Sequence, residues 1–207
     1  MTTAPRRAGW LKTLHTWHWI SSALCLIGML LFALTGITLN HASSIEVNPR
    51  VVQKQAQLSP ELLAALKPAA GEKDHHAPLP TALRDWAVKT LNSAVSTEDA
   101  DWTVEEVYLA MPRPGGDAWL RVDRETGALE YENTDRGWIA YLNDLHKGRH
   151  AGLAWSWFLD IFAVACLLFS ITGLLILKFH ATSRALTWPL VALGFVLPAL
   201  LALLLIH

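Results

Sequence analysis

The positions of the histidines are the clearest indication of a functional site in this sequence. Of the nine histidines, seven lie next to the ends of three long apolar stretches. Imidazole is the side chain that most often binds a metal ion in proteins, so histidines repeated at the ends of apolar helices suggest a cofactor held between helices. The seven are His15 and His18 before the first stretch, His41 after it, His146 and His150 before the second, His180 after it, and His207 at the end of the third.

The rise per residue of a helix places these histidines relative to the two membrane faces. At about 1.5 Å per residue, His15 and His41 are roughly 39 Å apart along a continuous helix, which is close to the thickness of a bilayer with its headgroups, about 40–45 Å. The first helix therefore carries a histidine near each membrane face, and the second helix runs antiparallel to it. The expected pairs are His41 with His146 or His150 at the outer face, and His15 or His18 with His180 at the inner face.

Two neutral imidazoles on facing helices are a common way for a helical bundle to hold haem iron. We predict haem b, one or two per chain, because no acidic or thiol ligands accompany the imidazoles and no C-x-x-C-H motif is present for haem c. At about 100° per residue, His15 lies about 80° from His41 around the helix and His18 about 140°, which favours His15. His146 is preferred to His150 because it repeats the Leu-His placement of His15. The alternative for any one of them is an amphipathic side chain at headgroup level.

Three further polar positions are candidates of a different kind. Asp160 lies inside the second apolar stretch, and an ionisable residue there is a functional candidate by default. It would relay protons or pair with Arg149 or His150, and a structural hydrogen bond is the alternative. His75 and His76 lie in the outer segment, where we expect a solvated loop, with a weak iron or copper contact as the alternative.

The elements that position these residues are membrane-spanning helices. The chain is 52% hydrophobic and only 17% charged, against roughly 25% charged in soluble domains. A bilayer core needs about 20 apolar residues in a helix, and three stretches qualify, at about Trp19–Leu39, Leu153–Leu177 and Ala185–Ile206. The net charge of -1 gives no basic patch for nucleic acid. Cys25 and Cys166 each lie in an apolar run and are expected to be buried thiols.

The distribution of cations predicts the orientation in the membrane. Lys and Arg gather before the first span and between the second and third, and the positive-inside rule places both segments in the cytoplasm. The segment from about Ala42 to Ala151, and the C-terminal His207, are then outside. The first span exceeds a usual signal-peptide core and no clear A-x-A site follows, so it is expected to remain as a span. The cations are Arg6, Arg7, Lys12, Lys178 and Arg184.

The outer segment is predicted to form a small α+β layer. Residues 46–71 are polar and helix-prone, and residues 74–80 are expected to be a loop. Thr81–Leu91 has helical periodicity, with Thr81 as a possible N-cap. Three antiparallel strands then follow, and no nucleophile elbow, P-loop or G-x-G-x-x-G motif is present. The predicted strands are Thr103–Met111, Ala118–Val122 and Ala128–Tyr131, separated by turns at 112–116 and 123–127.

The two histidine-bearing spans resemble each other. The first contains Leu14-His15 and later Leu34-Thr35-Gly36-Ile37, and the second contains Leu145-His146 and later Ile171-Thr172-Gly173-Leu174. A weak inverted repeat of this kind places equivalent sites at both membrane faces. Gly36 and Gly173 are expected to let another helix, or a flat macrocycle, approach the backbone closely.

Taken together, these motifs resemble the PepSY-associated transmembrane proteins over nearly the whole chain. The turn Val122-Asp123-x-x-Thr126-Gly127 is similar to the signature of a PepSY domain, and its combination with two L-H…T-G helices is more specific. The matching motifs are Leu14-His15-x-Trp17, the Leu-Thr-Gly of the first span, the V-D-x-x-T-G turn, and Leu145-His146-x-Gly148 before a Trp-rich span ending in Ile-Thr-Gly.

This resemblance implies a bacterial inner-membrane haem protein that reduces ferric iron or ferric siderophores on the periplasmic side, as in the short three-helix, VciB-like members. The family's ligands match His15, His41 and His146, and with less support His180. A quinol or another electron donor is expected to reduce the protein, and a homodimer is expected because three helices enclose two haems poorly.

The expected domain boundaries follow the three spans. They are a cytoplasmic N-terminus at 1–14, helix 15–41, a periplasmic PepSY-like domain at 42–145, helix 146–180 with a periplasmic extension, a cytoplasmic loop at 181–184 and helix 185–207.

Two other functions are compatible with the same sequence. A membrane-anchored accessory protein would use its PepSY-like domain to bind a peptide or protein, for example by strand addition to the sheet. A haem or metal transport component would use the histidines as a path, although three helices are few for a transporter. A colourless protein whose outer domain is protected from proteolysis by a bound partner would favour the first alternative. Net substrate flux in proteoliposomes without any redox change would favour the second.

Overall fold

A computed structural model describes residues 4–45, 48–181 and 184–206, so His207 lies outside the described residues. The chain divides into two compact units, Met1–Leu31 with Trp157–His207, and Phe32–Ser156. The helices are α1 (Ala4–Asn40), α2 (Pro60–Ala64), α3 (Thr81–Leu91), α4 (Gly137–Lys147), α5 (Gly152–His180) and α6 (Thr187–Leu205), with a short 3-10 helix at Ala42–Ser44.

The first unit consists of long apolar helices. Within the described ranges, three helices are long and apolar enough to cross a membrane, namely Gly9–Asn40 of α1, α5 and α6. The three apolar helices that the sequence predicts are therefore present. Gly28 of α1 allows close packing with α5, because a methyl group there would overlap the ring of Phe162. Cys25 is buried, Cys166 is partly buried, and both are free thiols, as predicted.

The second unit is built on one antiparallel sheet of six strands. Their order across the sheet is β1-β6-β5-β4-β3-β2, and every neighbouring pair is antiparallel. The three predicted strands are confirmed as β4, β5 and β6, but three more were missed. The strands are β1 (Arg50–Gln57), β2 (His75–Pro78), β3 (Asp99–Trp102), β4 (Glu106–Ala110), β5 (Gly116–Asp123) and β6 (Ala128–Asp135).

Two sequence interpretations are wrong at the edges of this sheet. Residues 50–57, expected to be helix-prone, form β1, and residues 75–78, expected to be loop, form β2. Each lies at an end of the sheet and pairs with one neighbour, so its exposed face carries polar side chains. Edge strands with polar residues and a terminal proline lack the apolar alternation that identifies a strand. Glu46 and Val47 lie outside the described residues.

Helix α3 covers the predicted residues Thr81–Leu91 and closes the core of the sheet. Leu83, Ala87 and Leu91 are buried on one face of α3, and they join the apolar core of the sheet. Fully burying one such leucine contributes about 1.5–3 kcal/mol. Thr81 is not the N-cap: Pro80 occupies that position and no side chain caps the helix.

The V-D-x-x-T-G segment forms the predicted turn between β5 and β6. Asp123 Oδ1 accepts hydrogen bonds from the amides of Glu125 and Thr126 and from the Thr126 hydroxyl. These donors, the Thr126 amide first, hold the pKa of Asp123 below its usual range. Gly127 follows with φ of +73°, which a residue with a side chain rarely adopts.

Arg124 of the same turn joins the sheet to the segment before β2. It is buried, donates to the carbonyls of Leu66 and Thr103, and binds both carboxylate oxygens of Glu72 at 3.0 and 3.1 Å. The hydrogen bond from Arg124 is the main cause that lowers the pKa of Glu72. The guanidinium also lies 5.3 Å from the ring centre of Trp102. Because these bonds use four of the five N–H groups of the buried cation, Arg124 is a structural residue.

Candidate histidine sites at the helix ends

His18 of α1 packs against one short segment of α5. Its ring stacks on Phe169 at 4.7 Å between ring centres, with 13° between the planes. Its Nδ1 lies 3.0 Å from Thr172 Oγ1 and 3.2 Å from the Phe169 carbonyl oxygen. Its Cε1 faces Gly173, where an added methyl carbon would be 3.2 Å away. One imidazole is therefore held on three sides by residues of a single helix.

His146 of α4 is held in the same way by the end of α1. Its ring centre lies 4.9 Å from that of Phe32, and its Nδ1 lies 2.7 Å from Thr35 Oγ1. Its Cε1 faces Gly36, with 3.6 Å to an added methyl carbon. Helix α4 carrying His146 ends before α5 begins at Gly152.

The two arrangements use the same motif, F-x-x-T-G, at residues 32–36 and 169–173. We call each of these segments, with the histidine it holds, an F-x-x-T-G cradle. The sequence repeat was recognised through its Thr-Gly pair, but the phenylalanine three residues before each threonine was missed. The edge of an imidazole faces Gly36 and Gly173, whereas the sequence predicted that a helix or a macrocycle would approach these glycines.

The hydrogen bonds define which ring nitrogen carries the proton. A threonine hydroxyl has one proton to donate, and each cradle threonine donates it to a carbonyl of its own helix. Thr172 donates to Leu168 at 2.6 Å and Thr35 donates to Phe32 at 3.2 Å. For His18 the Phe169 carbonyl, which only accepts, also requires Nδ1 to carry the hydrogen, so Nε2 presents its lone pair. His146 has the same tautomer when the Thr35 hydroxyl keeps its bond to Phe32 and accepts from Nδ1.

Three other histidines also donate from Nδ1, but to a carbonyl four residues earlier in the chain. A carbonyl oxygen only accepts, so a nitrogen bonded to it must be the donor. In each case Nδ1 bonds the carbonyl four residues earlier in the same helix, and Nε2 is left as the ligand atom. The bonds are His15 to Leu11 at 2.8 Å, His41 to Ile37 at 3.0 Å and His180 to Ile176 at 2.9 Å.

The structure brings some of the predicted residues together. His15 and His180 lie with their ring centres 5.8 Å apart and their planes at 87°, as expected for the inner pair. His41 makes no ring contact with His146 in the described part of the chain. His150 lies between α4 and α5, exposed, with φ of +52°. Asp160 is exposed on α5 and forms no salt bridge or side-chain hydrogen bond with any described residue.

The hydrogen bonds of these histidines are those of a metal ligand's imidazole. A metal-bound histidine usually has its second nitrogen hydrogen-bonded, which fixes the ring and raises its basicity, and all five rings meet that condition. Among the described residues no three His, Cys, Asp or Glu side chains converge as a metal site.

The histidines of the sheet domain are placed differently. His76 lies opposite Asp101 on β3, with Nδ1 2.6 Å from the carboxylate. His75 stacks on Trp102 with 5.7 Å between ring centres, and its Nδ1 bonds the Lys73 carbonyl at 3.1 Å. Both are strand residues with partners on β3 or nearby backbone, and neither contacts the helix-end histidines.

The chain was also compared with known protein families. The family described as "Putative PepSY_TM-like" matches residues 9–207. The chain belongs to this family, which confirms the resemblance that the sequence motifs indicated. No curated protein and no solved structure matches the chain significantly.

Proposed function

We propose that this protein is a haem b oxidoreductase of the bacterial inner membrane that passes electrons to ferric iron outside the cytoplasm. The observation that carries the proposal is the common state of the five helix-end histidines. Each has Nδ1 in a hydrogen bond and Nε2 outside those bonds. His15, His18 and His180 lie on helices apolar enough to cross a membrane and His41 directly follows one, whereas His146 lies on the short helix α4. Neutral imidazole with a held second nitrogen is the usual form of a metal ligand.

The residues that would hold haem fall into two groups. His15, His18 and His180 are the candidates in the unit of long helices, and His41 and His146 are the candidates in the unit that contains the sheet. Haem held by these imidazoles would supply a one-electron carrier. The chain contributes the ligand nitrogens, the hydrogen bonds that orient them, and apolar helices that keep water away.

The overall reaction is a one-electron reduction of the substrate, Fe(III) to Fe(II). A quinol that gives up two electrons and two protons reduces two ferric ions, and this lipid-soluble donor suits a protein embedded in the bilayer. Reduction frees the metal because Fe(II) binds the hard oxygen ligands of a ferric chelate more weakly than Fe(III). In this proposal the sheet domain and the outer ends of α1 and α5 face the periplasm, and the N-terminus faces the cytoplasm.

Haem content is the first experiment. Full-length protein is purified in detergent, and a pyridine haemochrome assay with protein quantitation gives the type and number of haems. We expect a dithionite-reducible b-type spectrum with one or two haems per chain. His146→Ala should lose much of the haem, whereas His150→Ala, which removes an exposed histidine four residues away, should retain it. A colourless wild-type protein would refute the proposal.

Ferric reduction is the second experiment. Proteoliposomes that contain a quinol pool and receive external ferric citrate should form Fe(II), detected with a coloured Fe(II) chelator. Liposomes without protein, and liposomes with His146→Ala, are the controls. If the protein holds haem but forms no more Fe(II) than these controls, ferric iron is not its substrate and only an electron-transfer role remains.

A non-enzymatic accessory function has one observation in its favour. The sheet is open at both edges, β1 and β2, and Val51 and Val52 of β1 are about half exposed. An open edge accepts an extended peptide by main-chain hydrogen bonding. This function predicts a colourless protein whose β1 amides become protected from hydrogen exchange when a partner binds.

A further inference from the structure

The two F-x-x-T-G cradles hold their histidines in the same way although they are formed by different pairs of helices, α1 with α5 and α4 with α1. In each, an aromatic ring covers one side of the imidazole, a threonine hydroxyl accepts from Nδ1, and a glycine leaves room for Cε1. The donor helix differs: α1 supplies the histidine to α5 in one cradle, and α4 supplies it to α1 in the other. The repeated element is therefore the receiving segment, and its common feature is control of one imidazole.

The cradled histidines differ from the other three in how they are oriented. His15, His41 and His180 are exposed and bond only within their own helical turn, a contact any helical histidine makes without help from the fold. His18 and His146 are half-buried, and each is held by a residue more than 100 positions away in the chain. A side chain fixed by tertiary contacts holds its ligand atom in one direction, as a cofactor site requires.

We propose that Thr172 and Thr35 are matched positioning residues that fix His18 and His146 as Nε2 ligands of the proposed haem. This inference rests on the proposed function, and it changes the expected ligand at one site from His15 to His18. Each threonine hydroxyl donates its hydrogen bond to a backbone carbonyl of its own helix and accepts one from Nδ1. Valine has the same shape without the acceptor, so Nδ1 of His146 loses the hydrogen bond described for it, and Nδ1 of His18 keeps only the longer bond to the Phe169 carbonyl.

The competing interpretation is that the cradles only pack helices together and that His15 with His180 supplies the ligands. Both interpretations predict some loss of stability when a cradle threonine is replaced. They differ in the properties of the imidazole and of the haem, which a packing role alone does not change. The test therefore reads ring protonation and the low-spin haem signal beside folding.

The experiment uses the full chain in nanodiscs with Thr172→Val and Thr35→Val, and with Thr172→Ser and Thr35→Ser as conservative variants. Thr16→Val is the matched control, because the Thr16 hydroxyl lies on α1 and donates to the Lys12 carbonyl away from both cradles. Haem affinity is measured by titrating haem into haem-depleted protein. Low-spin electron paramagnetic resonance reports the axial ligands, and imidazole ¹⁵N shifts of the haem-depleted protein report the tautomers.

Each valine variant should weaken haem binding at its own site roughly 10-fold or more, as loss of a ligand's supporting hydrogen bond does. Each should also alter one low-spin signal, and the serine variants should restore both. Thr16→Val should match wild type. A Thr172→Val protein that keeps wild-type affinity and signal, together with a His15→Ala protein that loses them, would overturn the assignment of His18.

The design separates failure of this inference from failure of the proposed function. Wild-type protein that binds no haem refutes the proposed function and, with it, the ligand role. The ¹⁵N shifts still test the threonines in that case: wild-type His18 and His146 should show a protonated Nδ1. If Thr172→Val and Thr35→Val leave those shifts unchanged, the threonines do not control the rings and the inference fails by itself.

Discussion

The same substitution, glycine to alanine, should have different results in the two cradles. At Gly36 the new methyl carbon would lie 3.6 Å from His146 Cε1, an ordinary van der Waals contact. At Gly173 it would lie 3.2 Å from His18 Cε1, which is closer than carbon atoms normally approach. The imidazole of His18 must then move by a few tenths of an ångström, whereas that of His146 need not.

The size of the difference follows from the hydrogen bonds of His18. Its Nδ1 is 3.2 Å from the Phe169 carbonyl, and a shift of about 0.4 Å stretches that bond to about 3.6 Å, beyond a useful hydrogen bond. Losing one such bond costs about 0.5–1.5 kcal/mol. Alanine is better than glycine in a helix by up to about 1 kcal/mol. Gly36→Ala should therefore stabilise the protein, and Gly173→Ala should be neutral or destabilising.

Thermal unfolding of the two variants in nanodiscs measures this difference. With about 2–4 °C per kcal/mol for a chain of this size, the midpoint of Gly36→Ala should exceed that of Gly173→Ala by about 1–6 °C. Gly173→Ala should also weaken haem binding while Gly36→Ala does not. Equal midpoints, or a higher midpoint for Gly173→Ala, would show that His18 is not packed against Gly173 as described.

Three further predictions concern the sheet domain. Arg124→Lys should lower the unfolding midpoint of the domain, because lysine cannot make the forked contact and a lost charge-assisted hydrogen bond costs about 1.5–3 kcal/mol; an unchanged midpoint would contradict the structural role of this buried cation. Acid should destabilise the domain as pH falls below about 4. Folding lowers the pKa values of Glu72 and Asp123. The stability that these carboxylates contribute is therefore present above their ordinary pKa values, near 4, and is lost as pH falls below them. Hydrogen exchange between pH 5.5 and 3 should show this loss, and Glu72→Gln with Asp123→Asn should flatten it. Gly116→Ala should destabilise the domain by about 1–3 kcal/mol, because a methyl group would overlap the carbonyl oxygen of Thr134; faster exchange of the β5 and β6 amides is the readout, and wild-type rates would count against the described β5–β6 pairing.

The features that the sequence predicts correctly are those set by local physics. Twenty apolar residues in a row suffice to define a span, because the length of the apolar run must match the bilayer core. Helix Thr81–Leu91 follows from its own apolar periodicity. The turn at 123–127 follows from the hydrogen bonds that Asp123 accepts from Glu125 and Thr126 and from the positive φ of Gly127.

The edge strands were missed because their signal is not local. Arg50–Gln57 and His75–Pro78 become strands through hydrogen bonds to β6 and β3, and most of their side chains remain exposed. A polar segment at the edge of a sheet has no alternation for the sequence to display. Only the neighbouring strand decides its conformation.

The histidine sites show the same division most clearly. The sequence by itself determined that histidines lie near the ends of apolar stretches, because composition defines those stretches. The predicted continuous helix 146–180 is wrong, since His146 lies on the separate helix α4 and α5 begins only at Gly152. Tertiary structure decided which histidine enters which cradle. His15 and His18 are only about 60° apart around α1, so a small rotation of the helix selects between them. That rotation depends on packing such as Phe162 against Gly28, between residues far apart in the chain.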